Sequence, residues 1–114
     1  MARKPWNVFV PALKTGMASK FILRKKAEED LTAIIDYIAR DNPSAALKLY
    51  ETFLAQFEYL AQFPQSGRLR TEFRPVVRSL AIGKYIAFFC EADPVEIVRV
   101  LHGARSFPED IESL

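Results

Sequence analysis

Apolar residues recur along this chain with two different periods, and the change from one to the other divides it. Ala27, Leu31, Ile34, Ile35 and Ile38 recur at helix spacing and define one apolar face. Glu28, Glu29 and Asp30 crowd the first turn of that helix, where acids favour the macrodipole, and the helix should stop near Arg40-Asp41. Asn42-Pro43 then starts a second helix, with Asn as N-cap and Pro at the first helical position. Ala46, Leu49, Phe53, Phe57 and Leu60 mark its apolar face, Pro64 ends it, and Gln65-Ser66-Gly67 turns the chain. The short connection between the helices predicts antiparallel neighbours, a helical hairpin.

Beyond the turn the period shortens. Residues 76–82, 85–91 and 95–101 are rich in β-branched and aromatic side chains, separated by Gly83-Lys84 and Ala92-Asp93-Pro94 at hairpin-turn lengths. Three strands joined this way form an antiparallel meander, and Phe21-Ile22-Leu23 adds a short strand before the first helix. The predicted fold is α+β with element order β-α-α-β-β-β, the helical hairpin packed on one face of a small antiparallel sheet.

The 114 residues suffice for one domain, and half of them are hydrophobic, which gives a core its material. Residues 1–17 fit neither period and contain Pro5, Pro11 and Gly16; they are expected to be a flexible extension, a tag or an over-extended start, with Met17 as the natural first residue. The domain is placed at residues 18–108 and an acidic tail at 109–114. No apolar run is long enough to span a bilayer and no secretory signal is present, so the cytoplasm is expected, with no membrane contact. The single cysteine, Cys90, excludes an internal disulfide framework and reads as a small core residue.

Charge adds a polarity that the net value of +2 conceals. The helical segment, residues 27–64, holds seven acids against Arg40 and Lys48, whereas residues 68–105 hold seven basic residues against four acids. Those seven are Arg68, Arg70, Arg74, Arg78, Lys84, Arg99 and Arg105, and together they form the expected target-binding set. Guanidinium groups bind phosphate bidentately; the competing reading is that most of these side chains are solvated, with one or two paired to Glu72, Asp93 or Glu96. Arg78 and Arg99 stand out because each interrupts an apolar strand. The first three are expected in the loop between the second helix and the sheet.

Little else in the chain carries chemistry. Four scattered glycines make no phosphate-binding loop, and one histidine, His102, supports neither a paired-His metal site nor a triad. Glu28, Glu29 and Asp30 are read as dipole partners rather than metal ligands, and no metal or cofactor is expected. His102 and Tyr85 are the available proton-transfer groups. If the chain were a ribonuclease, its catalytic set would be Arg78, Tyr85, Arg99 and His102.

An ordered set of short segments resembles the ParE/RelE superfamily of toxin–antitoxin toxins, most closely its ParE branch. They are Ala27-Glu28-Glu29-Asp30-Leu31, Ile34-Ile35-Asp36-Tyr37-Ile38, Asn42-Pro43 with Ala45 and Ala46, Leu60 and Phe63-Pro64-Gln65-Ser66-Gly67-Arg68. Val77-Arg78, Tyr85-Ile86 and Ile97-Val98-Arg99-Val100-Leu101-His102-Gly103-Ala104-Arg105 follow. The resemblance covers about residues 20–108. It implies a toxin neutralised by a cognate antitoxin, with a homodimer or a toxin–antitoxin hetero-oligomer as the assembly and Leu31, Ile35, Leu49 and Phe53 as the antitoxin-binding residues of the hairpin. It also implies one of two targets. RelE-like members cleave mRNA on the ribosome with basic residues and a catalytic His, Glu or Tyr, often with a Tyr near the C-terminus. ParE-like members are associated with poisoning of DNA gyrase. Here the C-terminal stretch is Ala104-Arg105-Ser106-Phe107, without that tyrosine, and the lysine-rich segment of ribosome-cleaving members is missing. The balance favours gyrase, with metal-independent mRNA cleavage as the alternative.

Overall fold

The computed structural model describes residues 21–104; the expectations for residues 1–17, Arg105, Phe107 and the acidic tail lie outside them. Strand β1 (Phe21–Leu23) leads into helix α1 (Lys25–Asp41) and helix α2 (Pro43–Gln62). A single 3-10 turn, Pro64–Ser66, is followed by β2 (Arg68–Arg70), β3 (Val77–Ile82), β4 (Tyr85–Cys90) and β5 (Val95–His102).

The hairpin forms as its sequence requires. Asn42 serves both helices: its N–H donates to the Ile38 carbonyl at 2.9 Å, closing α1. Its side-chain Oδ1 accepts from the Ala45 N–H at 3.0 Å, opening α2 ahead of Pro43. From α1, Ala27, Leu31 and Ile35 are buried at four-residue intervals; from α2, Ala46, Tyr50, Phe53, Phe57 and Leu60. Tyr50 takes the position expected of Leu49, which is only half-buried at the edge of the same face. One residue on a helix is a rotation of about 100°, so the inward stripe lies slightly off the line that strict apolarity traces.

The sheet departs from a pure antiparallel meander in two ways. Its order is β1-β5-β4-β3-β2, and β1 runs parallel to β5, with Phe21 opposite Val95 and Leu23 opposite Ile97. The parallel arrangement follows from topology: the whole hairpin and three strands intervene before β5 returns beside β1. The other difference concerns Arg68 and Arg70, expected in a loop, which form a three-residue strand antiparallel to β3. Such a strand is too short and too polar for its period to be read. In the β3–β4 turn Gly83 takes φ +59°, a region open to glycine at no steric cost.

The hairpin covers one face of the sheet, where Phe21, Phe53, Phe57 and Phe89 join Leu31, Leu60, Ile97 and Val100. Phe21 meets Phe57 edge-on at 5.6 Å and Phe53 stacks on Phe57 at 6.0 Å. The opposite face carries a smaller cluster of Phe73, Val77, Phe88, Val98 and Leu101. Phe73, from the loop after β2, closes it by standing edge-on to Phe88 at 5.4 Å. Residues 87–89 are therefore buried on both faces, which explains why β4 reads as a continuous apolar run. A bulge sits in this region: Phe88 pairs with Arg99 but Phe89 with Ile97, leaving Val98 as the extra residue of β5.

Candidate functional site

The basic residues of the C-terminal half do not converge. Arg99 is buried, its side chain 8% exposed, and donates from Nε and Nη2 to the two oxygens of Asp30, each at 2.7 Å. That bidentate hydrogen bond raises the Arg99 pKa above its ordinary value, burial opposing it. Asp30 also accepts the Val100 N–H at 2.9 Å, on the part of the β5 edge that β1, ending at Leu23, does not cover. The carboxylate expected to serve the helix dipole thus pins α1 to the sheet.

Arg78 lies on β3, with β4 between it and β5, roughly 10 Å away across two strand spacings. It donates to the Gly67 carbonyl at 2.8 Å and to Glu91 at 2.9 Å, and the bond to Glu91, with a second from Gln65, holds that carboxyl below the usual carboxylate range. Arg70 donates to Glu72 at 2.7 Å and to Ser79 at 3.1 Å, and its guanidinium lies 5.1 Å from the Phe73 ring centre, capping the smaller core. Glu72 is held below its ordinary pKa by a backbone hydrogen bond and then by Arg70. Arg74 donates to the Thr71 and Phe73 carbonyls and ties its own loop. Among the described residues, only Arg68 and Lys84 of the set have exposed charged groups without a hydrogen bond or ion pair.

His102 and Tyr85 are directly opposed on β5 and β4, their rings edge-to-face at 5.5 Å. They share a cleft of about 520 Å³ with Tyr37, Ile38, Ala45, Leu49 and Lys84. Neither Arg78 nor Arg99 lines it; Lys84 is its cation. His102 Nδ1 accepts the Ala104 N–H at 3.1 Å, so in the neutral ring the proton sits on Nε2, which then donates rather than accepts.

The residues expected to bind an antitoxin divide by exposure. Leu31, Ile35 and Phe53 are buried between hairpin and sheet, and Leu49 reaches the edge of the His102 cleft. The accessible apolar surface of the hairpin is different: Tyr37 is 71% and Leu47 50% exposed. A groove of about 190 Å³ runs between the helices, lined by Ile35, Asp36, Ala39, Pro43, Ala46, Leu47 and Tyr50. Leu47 left no signal in the periodicity because it falls off the inward stripe. Cys90 is half-buried beside the smaller core, with Arg24 Nη2 3.6 Å from its sulfur. No group of three His, Cys, Asp or Glu side chains able to hold a metal occurs among the described residues, and no helix there is long and apolar enough to cross a membrane.

A helical hairpin on a five-stranded mixed sheet, with α1 tied to the sheet by the buried Asp30–Arg99 pair, defines a small α+β domain. Residues 21–107 match the family described as the ParE toxin of the type II toxin–antitoxin system parDE. The chain is 38% identical over 82 residues to a protein of Caulobacter vibrioides named Toxin RelE2, a match covering 70% of this chain and 90% of that one. A solved structure titled "Chromosomal ParDE TA system from P. aeruginosa" superposes with a TM-score of 0.61 at 28% identity, covering 72% of this chain and 92% of the other. The chain belongs to the ParE toxin family of type II toxin–antitoxin systems, within the ParE/RelE superfamily.

Proposed function

We propose that the chain is a cytoplasmic toxin that arrests growth by inhibiting DNA gyrase through a protein surface, and that a cognate antitoxin neutralises it. The observation that carries this reading over RNA cleavage is the dispersal of the cationic residues. In-line attack on a phosphodiester needs a proton acceptor beside cationic groups that stabilise the phosphate. Here Arg99 is bound to Asp30 and Arg78 to Glu91, and neither shares the cleft of His102. The antitoxin's place is taken to be the outer side of the hairpin, where Leu47 and the α1–α2 groove offer apolar contact.

Purified toxin should block gyrase supercoiling in vitro, and antitoxin should restore it. Full supercoiling at excess toxin that still arrests growth would refute gyrase as the target. The second reading, a metal-independent mRNA endoribonuclease, is favoured by one observation, the edge-to-face contact of His102 with Tyr85 beside Lys84 in an open cleft. It requires cleaved transcripts in a translating extract supplied with toxin, and their integrity would remove it.

A further inference from the structure

The chain leaves the sheet at the rim of the His102 cleft. After β5 the Gly103 N–H donates to the Lys84 carbonyl at 2.8 Å and the Ala104 N–H to His102 Nδ1 at 3.1 Å. The exit is thus fastened to two residues that line the cleft. The cleft itself, about 520 Å³, has two characters. Ile38, Ala45 and Leu49 are its apolar part, while Tyr37, Lys84 and His102 are exposed and polar. The Lys84 ammonium makes no hydrogen bond or ion pair, and no carboxylate lines the cleft among the described residues. An accessible apolar recess beside an unmatched cation fits an occupant that is apolar and acidic together.

Residues 105–114, which follow directly, have that composition. They hold Glu109, Asp110 and Glu112 against Arg105, three acids and one base for a net charge of −2, with Phe107, Ile111 and Leu114 as apolar side chains. Phe107 is three residues beyond Ala104, and three extended residues reach about 10 Å, enough to bring its ring from the His102 edge over the apolar part. We propose that this acidic segment is the occupant of the cleft: Phe107 sits on Ile38, Ala45 and Leu49, and Glu109 and Asp110 meet Lys84 and the Nε2–H of His102. An exposed ion pair contributes little by itself. The tether supplies the rest, because a short linker holds the segment at an effective concentration on the order of millimolar. A contact too weak to form between separate molecules is then populated within one chain. Any partner that uses His102, Tyr85 or Lys84 has to displace the chain's own tail first, whichever target the toxin has.

NMR of the ¹³C,¹⁵N-labelled full chain at low ionic strength tests this. NOEs are expected from the Phe107 ring to the methyl groups of Leu49 and Ile38, and they should persist on tenfold dilution. Lys84→Glu should weaken them at least fivefold with an unchanged thermal transition, since Lys84 is exposed on a turn. Adding Glu109→Lys and Asp110→Lys to that variant should restore them. Absence of the NOEs from the unmodified chain, their survival in Lys84→Glu, or a charge swap that restores nothing would overturn the docking. So would NOEs found only between labelled and unlabelled chains in a mixed sample, which assign the cleft to a second copy.

Discussion

Asp30→Asn tests the junction between hairpin and sheet. Asp30 accepts three hydrogen bonds, two from Arg99 and one from the Val100 N–H, and the ion pair is mostly withdrawn from water, with side chains 8% and 14% exposed. Asparagine removes the charge and replaces one acceptor by an NH₂ facing the guanidinium, so Arg99 stays buried without its counter-ion. Breaking a buried pair from one side costs about 3–5 kcal/mol, and the residual exposure of Asp30 places this case near the lower limit, about 3 kcal/mol. In a domain of this size that corresponds to a fall in Tm of roughly 15 °C. The double variant Asp30→Asn/Arg99→Met should recover most of the loss, because no charge is then stranded and the asparagine oxygen still accepts the Val100 N–H. Urea unfolding followed by circular dichroism for the four members of the cycle measures the coupling. A loss below about 1 kcal/mol for Asp30→Asn, or a double variant whose loss equals the sum of the singles, would refute the argument.

Other expectations follow from local geometry. A Cβ at Gly67 would lie 2.5 Å and 2.7 Å from the ring of the fully buried Phe89 and 2.9 Å from the Ser79 carbonyl, so Gly67→Ala should destabilise by about 2 kcal/mol in chemical denaturation. Burial pushes Tyr50 up to about 12, above its unfolded value near 10. Stability should therefore be intact below pH 10 and decline as pH rises toward 12, by on the order of 2 kcal/mol, a dependence that Tyr50→Phe removes. Glu91 is depressed by its bond from Arg78, so its contribution is present above the ordinary carboxylate pKa and lost as pH falls through its lowered value; in Arg78→Ala its NMR-measured pKa should rise toward that ordinary value. Leu47→Glu places a charge on the hairpin groove and should weaken antitoxin binding at least tenfold in calorimetry while leaving the unfolding curve unchanged, since Leu47 is half exposed.

The sequence by itself determined the elements, because their signals are local. Helical spacing in Ala27–Ile38, the double role of Asn42 ahead of Pro43, and the turns at Gly83-Lys84 and Ala92-Asp93-Pro94 each act within a few residues. Arg78 and Arg99 were visible as interruptions of apolar strands, but their partners were not, since Asp30 lies 69 residues from Arg99 and Glu91 13 from Arg78. Pairing distant charges is a product of sheet order and of how α1 crosses the edge of β5, which no short window contains. The parallel seating of β1 and the brief strand at Arg68–Arg70 are likewise defined by the partner strand rather than by their own residues. Tertiary structure thus turned most of a row of arginines, expected to face a target, into internal clamps. It left Arg68 and Lys84 as the described members of that row whose charged groups make no hydrogen bond or ion pair. It also moved the accessible apolar surface of the hairpin from Leu31 and Phe53, which the core claims, to Tyr37 and Leu47. A helix has one inward stripe, and residues that best satisfy the period are the ones packing removes from reach.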